Sequence, residues 1–205
     1  MAGHGSGRPA FAILALALAA PAHAQKPILP DFHADPSAHE WDGRYWIYPS
    51  HDLPGSRDWD MVDWHAFSST DLVGWTDHGV IFSLKDIPWA KKWAWAPDAM
   101  KRNGKYYFYV TADDQIGVGA ADGPYGPFKD ALGRPLVARG ESGTRVMDPA
   151  IFVDHDGQAY LYHVQGPSWY ERRVTAEYLD HAPDGSIRPV SMTKEGVRAK
   201  RPPSR

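Results

Sequence analysis

The chain has 205 residues with 22 Lys+Arg against 25 Asp+Glu, a formal net charge of −3, so it lacks the basic surplus with which nucleic-acid binders meet a polyanion. It contains no cysteine, which excludes disulfides, thiolate metal sites and thiol nucleophiles together, and leaves any chemistry to oxygen and nitrogen side chains. With 9 Trp, 10 Tyr, 7 Phe, 18 Pro and 19 Gly, the composition suits short strands, frequent turns and a sugar-binding surface better than long helices.

Residues 1–24 carry the three parts of an export signal in order: Arg8, an apolar run over 11–20, and Ala22-His23-Ala24 as a small-residue cleavage site. The apolar run is about half of the ~20 residues a membrane span needs. The expectation is therefore a secreted or periplasmic chain whose mature form begins at Gln25, with neither membrane nor nucleic acid as partner.

Beyond Gln25, short aromatic and β-branched runs closed by turn signals predict strands. Three segments share one layout. Asp35-Pro36-Ser37 leads to Asp42-Gly43 and then Arg44-Tyr45-Trp46-Ile47-Tyr48. Pro97-Asp98-Ala99 leads to Asn103-Gly104 and then Lys105-Tyr106-Tyr107-Phe108-Tyr109. Asp148-Pro149-Ala150 leads to Asp156-Gly157 and then Gln158-Ala159-Tyr160-Leu161-Tyr162. Each reads as two strands joined by a two-residue turn of Asp-Gly or Asn-Gly, the strongest short-range hairpin signal. The turn glycines Gly43, Gly104 and Gly157 recur at intervals of about 53 to 61 residues, a period that predicts blades of a β-propeller over a plain β-sandwich.

Stacked blades would bring Asp35, Asp98 and Asp148 to one end of a shared axis. Convergent carboxylates among aromatics suit glycoside hydrolysis, in which one activates water and another protonates the leaving oxygen. Trp89, Trp93 and Trp95, just ahead of Asp98, offer a stacking wall for a pentose ring, and His33 and His51 stand where they could hydrogen-bond a sugar or Asp35. No metal-ligand motif is found, and Asp154-His155-Asp156-Gly157 reads as a hairpin turn, since the remaining ligands of a calcium loop are missing.

At these residues the chain resembles glycoside hydrolase family 43, the β-xylosidases and α-L-arabinofuranosidases. The opening segment through Asp35-Pro36-Ser37, Trp95-Ala96-Pro97-Asp98, and Met147-Asp148 with the hairpin to Tyr162 carry the resemblance. It implies a five-bladed β-propeller, here incomplete, with about three blades and part of a closing blade over residues 25–197 and a basic tail over 198–205. It implies hydrolysis of xylose- or arabinose-containing oligosaccharides with inversion. Asp35 would be the general base and Asp148 the residue that tunes pKa values, while Asp98, Trp95, His33 and His51 would contact the substrate. A structural calcium is allowed by the resemblance without ligands being identified, and no other cofactor is implied.

The family's general acid, a glutamate in a Glu-Gly-Pro motif, has no counterpart. Gln165-Gly166-Pro167 carries an amide in its place, and an amide has no titratable proton to give. Glu141, Glu171 and Glu177 are the glutamates near the third unit that could stand in for it, and residues 169–190 resemble the closing blade. At the observed period, five blades need about 265–305 residues. The rival expectation is a carbohydrate-binding propeller relic, or an inactive truncated product, without the acid.

Overall fold

The computed structural model describes residues 27–139, 143–168 and 170–198. The expected export signal, residues 199–205 of the tail, and Glu141 lie outside them. Among the described residues, eleven strands form three antiparallel meanders. The first sheet holds β1 (His33–Trp41), β2 (Arg44–His51), β3 (Asp63–Ser69) and β4 (Thr76–Ser83). The second holds β5 (Trp95–Arg102), β6 (Lys105–Ala112), β7 (Gln115–Ala121) and the short β8 (Lys129–Asp130). The third holds β9 (Arg145–Val153), β10 (Ala159–Gly166) and β11 (Arg173–Leu179). Among the described residues no helix is long and apolar enough to cross a membrane.

Strand periodicity explains the stacking. In β6 every residue from Tyr106 to Ala112 is buried, and the side chains divide by alternation. Tyr106, Phe108 and Val110 join Trp46, Trp64 and Phe82 in a core between the first and second sheets. Tyr107 and Tyr109 join Val146, Leu161 and Leu179 in a core between the second and third. The middle sheet is thus apolar on both faces, while the flanking sheets keep Val80, Phe152 and Val174 exposed on their outer faces. The innermost strands β1, β5 and β9 lie side by side, the all-β, propeller-type arrangement the repeats predicted.

Two of the three expected tight turns form. Asp42-Gly43 and Asn103-Gly104 have positive φ at both central positions (56° and 73°; 51° and 74°), as a type I′ turn demands. The third connection is longer, because the Asp154 carboxylate accepts hydrogen bonds from the backbone N–H groups of Asp156 and Gln158 and from the Tyr160 hydroxyl, organising a wider loop.

The segment that resembles the closing blade begins on the third sheet. Arg173–Leu179 pairs along β10 from Gln165↔Arg173 to Ala159↔Leu179 and completes the third sheet. Ile187 and Val190 beyond it fill the second core. The edge of β10 offers unpaired backbone groups, and the next strand in sequence satisfies them before any separate unit can form.

Each innermost strand is interrupted at the same place. Register shifts fall between Ala34 and Ser37, between Trp95 and Asp98, and opposite Met147 to Ala150. Pro36, Pro97 and Pro149 occupy these bulges, where a residue without an N–H removes nothing from the ladder. Proline, and not aspartate, is therefore the common marker of the repeat.

Candidate active site

That register decides which carboxylates meet. Asp35 and Asp148 occupy equivalent positions just before the bulge proline, both in the left-handed backbone region (φ 48° and 55°). Such conformations cost non-glycine residues about 1 kcal/mol or more, tolerated most readily by Asp and Asn, and they recur where a side chain must be aimed. The third equivalent position, before Pro97, is Ala96. Asp98 lies beyond the bulge, paired with Tyr109 in the ladder, and its side chain takes another direction.

Asp35 and Asp148 line one cavity of about 560 Å³ with Trp59, Trp95, Tyr170, Arg172, Met61 and Met147. The Ser50 hydroxyl donates to Asp35 Oδ2 at 3.3 Å. The backbone N–H of Asp148 donates to Thr111 Oγ1 at 2.8 Å, fixing the bulge against the second sheet. Burial raises the pKa of Asp148, the negative charge of Asp35 raises it further, and Arg172, 4.0 Å away, partly offsets both.

This shift predicts a stability trade. The folded state holds the Asp148 proton more tightly than the unfolded chain does, so stability is lost as pH rises from the ordinary carboxyl value through the raised one. Asp148→Asn should therefore melt higher than the parent at pH 7. The gain should stay under about 1 kcal/mol because solvent screens a partly exposed group, and it should vanish in acid, where both side chains are neutral. Thermal melts across pH test this, and a lower midpoint at pH 7 would contradict it.

The aromatic wall differs from the one expected. Trp95 is in place, its Nε1 donating to the Trp59 carbonyl at 2.7 Å while its ring stacks on Trp93 at 5.1 Å. Trp89 turns away and donates to Asp130 Oδ2 at 2.9 Å. Trp59 and Tyr170, 65% and 95% exposed, were not anticipated. Each is an aromatic on an exposed loop among polar residues, which is the local signal that marks them.

Gly166 lets the loop that carries Tyr170 and Arg172 fold back. A Cβ there would collide with the backbone carbonyl oxygen of Glu171. Gly166→Ala should destabilise the fold by about 1–3 kcal/mol, read as a lower urea midpoint; an unchanged midpoint would show that the loop simply moves aside.

Three expected contacts fall outside the cavity. Asp98 is buried and joins the sheets: Oδ1 accepts from His39 Nε2 and from the Ala99 N–H, both at 2.8 Å, and Oδ2 accepts from the Ile151 N–H at 2.5 Å. His33 and His51 pack against His65 on the face of the first sheet opposite Trp64 and Ala66, away from the cavity lining.

No third acid reaches the cavity among the described residues. Gln165 sits in the ladder opposite Val146 and Arg173. Glu177 is buried and accepts from the Thr193 N–H at 2.8 Å, and Glu171 is exposed and accepts from the Ser168 hydroxyl at 3.0 Å. A calcium does not fit here either. It requires six to eight oxygen ligands, whereas the described cavity offers two carboxylates with a guanidinium beside one of them.

Comparison with known proteins places the chain among its relatives. The Humicola insolens protein "Xylosidase/arabinosidase 43A" is 43% identical over 146 residues, covering 64% of this chain and 43% of the relative. The Aspergillus niger "Beta-D-galactofuranosidase xynD" is 33% identical over 196 residues, covering 85% and 57%. The structure of a GH43 β-xylosidase/α-arabinofuranosidase from a compost metagenome, solved with xylotriose in a calcium-free form, superposes with a TM-score of 0.65 at 32% identity, covering 83% of this chain and 63% of that one. The Xanthomonas citri GH43_1 enzyme solved with xylose gives 0.65 at 31%, covering 81% and 56%. The chain thus spans roughly half the length of the relatives it matches. The model of the glycosyl hydrolases family 43 matches residues 24–198, and the chain belongs to that family.

Proposed function

We propose that this chain is an exported glycoside hydrolase of the xylosidase/arabinofuranosidase type, acting with inversion on xylose- or arabinose-containing oligosaccharides. The observation that carries the reading is the convergence of Asp35 and Asp148, each at a left-handed bulge, on one aromatic-walled cavity. Asp35 takes the proton of an attacking water, and the Ser50 hydroxyl holds its carboxylate in place. Asp148 sets the charge around the pair. Trp95, Trp59 and Tyr170 offer flat apolar faces to a sugar ring. The name of the Humicola insolens relative and the xylose bound to the Xanthomonas citri enzyme support the pentose class, and the signal-like pattern of residues 1–24 supports export.

With two carboxylates in the described cavity, leaving-group chemistry provides the test. A nitrophenolate departs without protonation, whereas a sugar hydroxyl needs an acid. The purified chain should turn over nitrophenyl xyloside or arabinofuranoside and leave xylobiose and arabino-oligosaccharides nearly untouched. Equal turnover of both classes would mean that an acid operates outside the described cavity. The same pair of carboxylates favours one second reading, a carbohydrate-binding relic. Calorimetric binding of xylose or arabinose with no turnover of either class would establish it in place of the first.

A further inference from the structure

The first sheet carries, away from the cavity, a cluster of side chains that hydrolysis leaves unused. His51 ends β2, Asp63 and His65 open β3, and one donor atom from each lies within 4.8 Å of the others. His51 Nδ1 is 2.7 Å and His65 Nε2 3.8 Å from the same oxygen, Asp63 Oδ1. Ligands held about 2.1 Å from one ion at tetrahedral angles stand roughly 3.4 Å apart, so small movements would bring all three onto a common centre.

The state of His65 is the stronger sign. Both its ring nitrogens are buried and neither makes a hydrogen bond, a desolvation cost that no hydrogen bond offsets. Its Nδ1 faces Asp77 Oδ1 at 3.7 Å, where an outer carboxylate orients a metal-binding imidazole. His33, opposite His51 in the ladder, donates its Nδ1–H to the Ser50 carbonyl at 3.2 Å, which leaves Nε2 with a free lone pair. The His33 ring lies 5.2 Å from that of His51 and 5.4 Å from that of His65.

We propose that His51, Asp63 and His65, with His33 as fourth ligand, form a site for a first-row divalent cation of the zinc type. Imidazole nitrogens with one carboxylate suit zinc, nickel or copper, and not the hard, oxygen-seeking calcium or magnesium. The Asp63 and Asp77 carboxylates offset the charge of the ion. An ion here would tie β1, β2 and β3 together at the end of the sheet where Asp35, two residues beyond His33, enters the cavity.

The test uses the full described chain purified without a polyhistidine tag and stripped with chelator. Calorimetric titration with zinc chloride should show one equivalent bound and a raised melting midpoint. Cobalt(II) in place of zinc should give the intense visible bands of a tetrahedral ion. His65→Ala and Asp63→Asn should each weaken zinc binding at least tenfold, and Asp77→Asn, which removes a positioning carboxylate, about tenfold. If His65→Ala does not fold, Asp63→Asn and the more peripheral His33→Gln carry the comparison, the latter through a shifted cobalt spectrum. Failure of the folded parent to take up zinc or cobalt, or unchanged affinity and spectrum in Asp63→Asn and His33→Gln, overturns the proposal. Neither outcome bears on Asp35 chemistry, because the readouts are binding and stability.

Discussion

Asp35→Asn should lower turnover of nitrophenyl pentosides by about 10²–10⁴-fold, the usual contribution of a positioned general base. The replacement keeps the shape of the side chain, and the Ser50 hydroxyl can still donate to the remaining oxygen, so the bulge at Ala34 to Ser37 should survive. What disappears is the ability to accept a proton from water. Because the bond to nitrophenolate breaks without acid assistance, the loss reports the base step alone. KM should change little, since the sugar contacts proposed above are the aromatic wall and not Asp35. The acid limb of the pH–rate profile should flatten, a signature that mere disruption of the cavity would not produce. Retained activity with an unchanged profile would remove Asp35 from the mechanism and overturn its assignment as the base.

The largest stability effect should come from Asp98. Its carboxylate accepts a hydrogen bond from β1 through His39 and another from the backbone of β9 at Ile151, while its own strand lies in the sheet between them. Asp98→Ala would leave a buried N–H without an acceptor and a histidine without its partner, a change that costs about 3 kcal/mol. For a chain of this size that is a fall of roughly 6–12 °C in melting midpoint. Asp98→Asn should cost less, because the amide oxygen can replace one acceptor and not both. Denaturant melts read these losses directly. An Asp98→Ala protein with native stability and a raised KM would return Asp98 to the role of sugar contact.

These two aspartates show how much could be read before the chain was folded. Asp-Gly and Asn-Gly turns declare hairpins because positive φ at two successive residues is a local demand. The alternation in Tyr106-Tyr107-Phe108-Tyr109 announces a strand buried on both faces for an equally local reason. Asp35 and Asp148 were legible as two of three aspartates that precede the hairpins of matching segments. Asp98 looked alike by its spacing to the following hairpin, yet it lies on the far side of the bulge. Since successive side chains point to opposite faces, a bulge re-aims everything near it, and no local pattern announces which residues it will shift.

By itself, then, the sequence determined the three hairpins, the β class and the family, all of which depend on turn chemistry, alternation and short motifs. Only the tertiary structure decided that Asp98 joins the sheets, that Arg173–Leu179 completes the third of them, and that Trp59 and Tyr170 wall the cavity. It also gathered His33, His51, Asp63 and His65 on one face. Those outcomes depend on which strand edges pair and where bulges rotate the backbone, and these are settled by contacts between residues far apart in the chain.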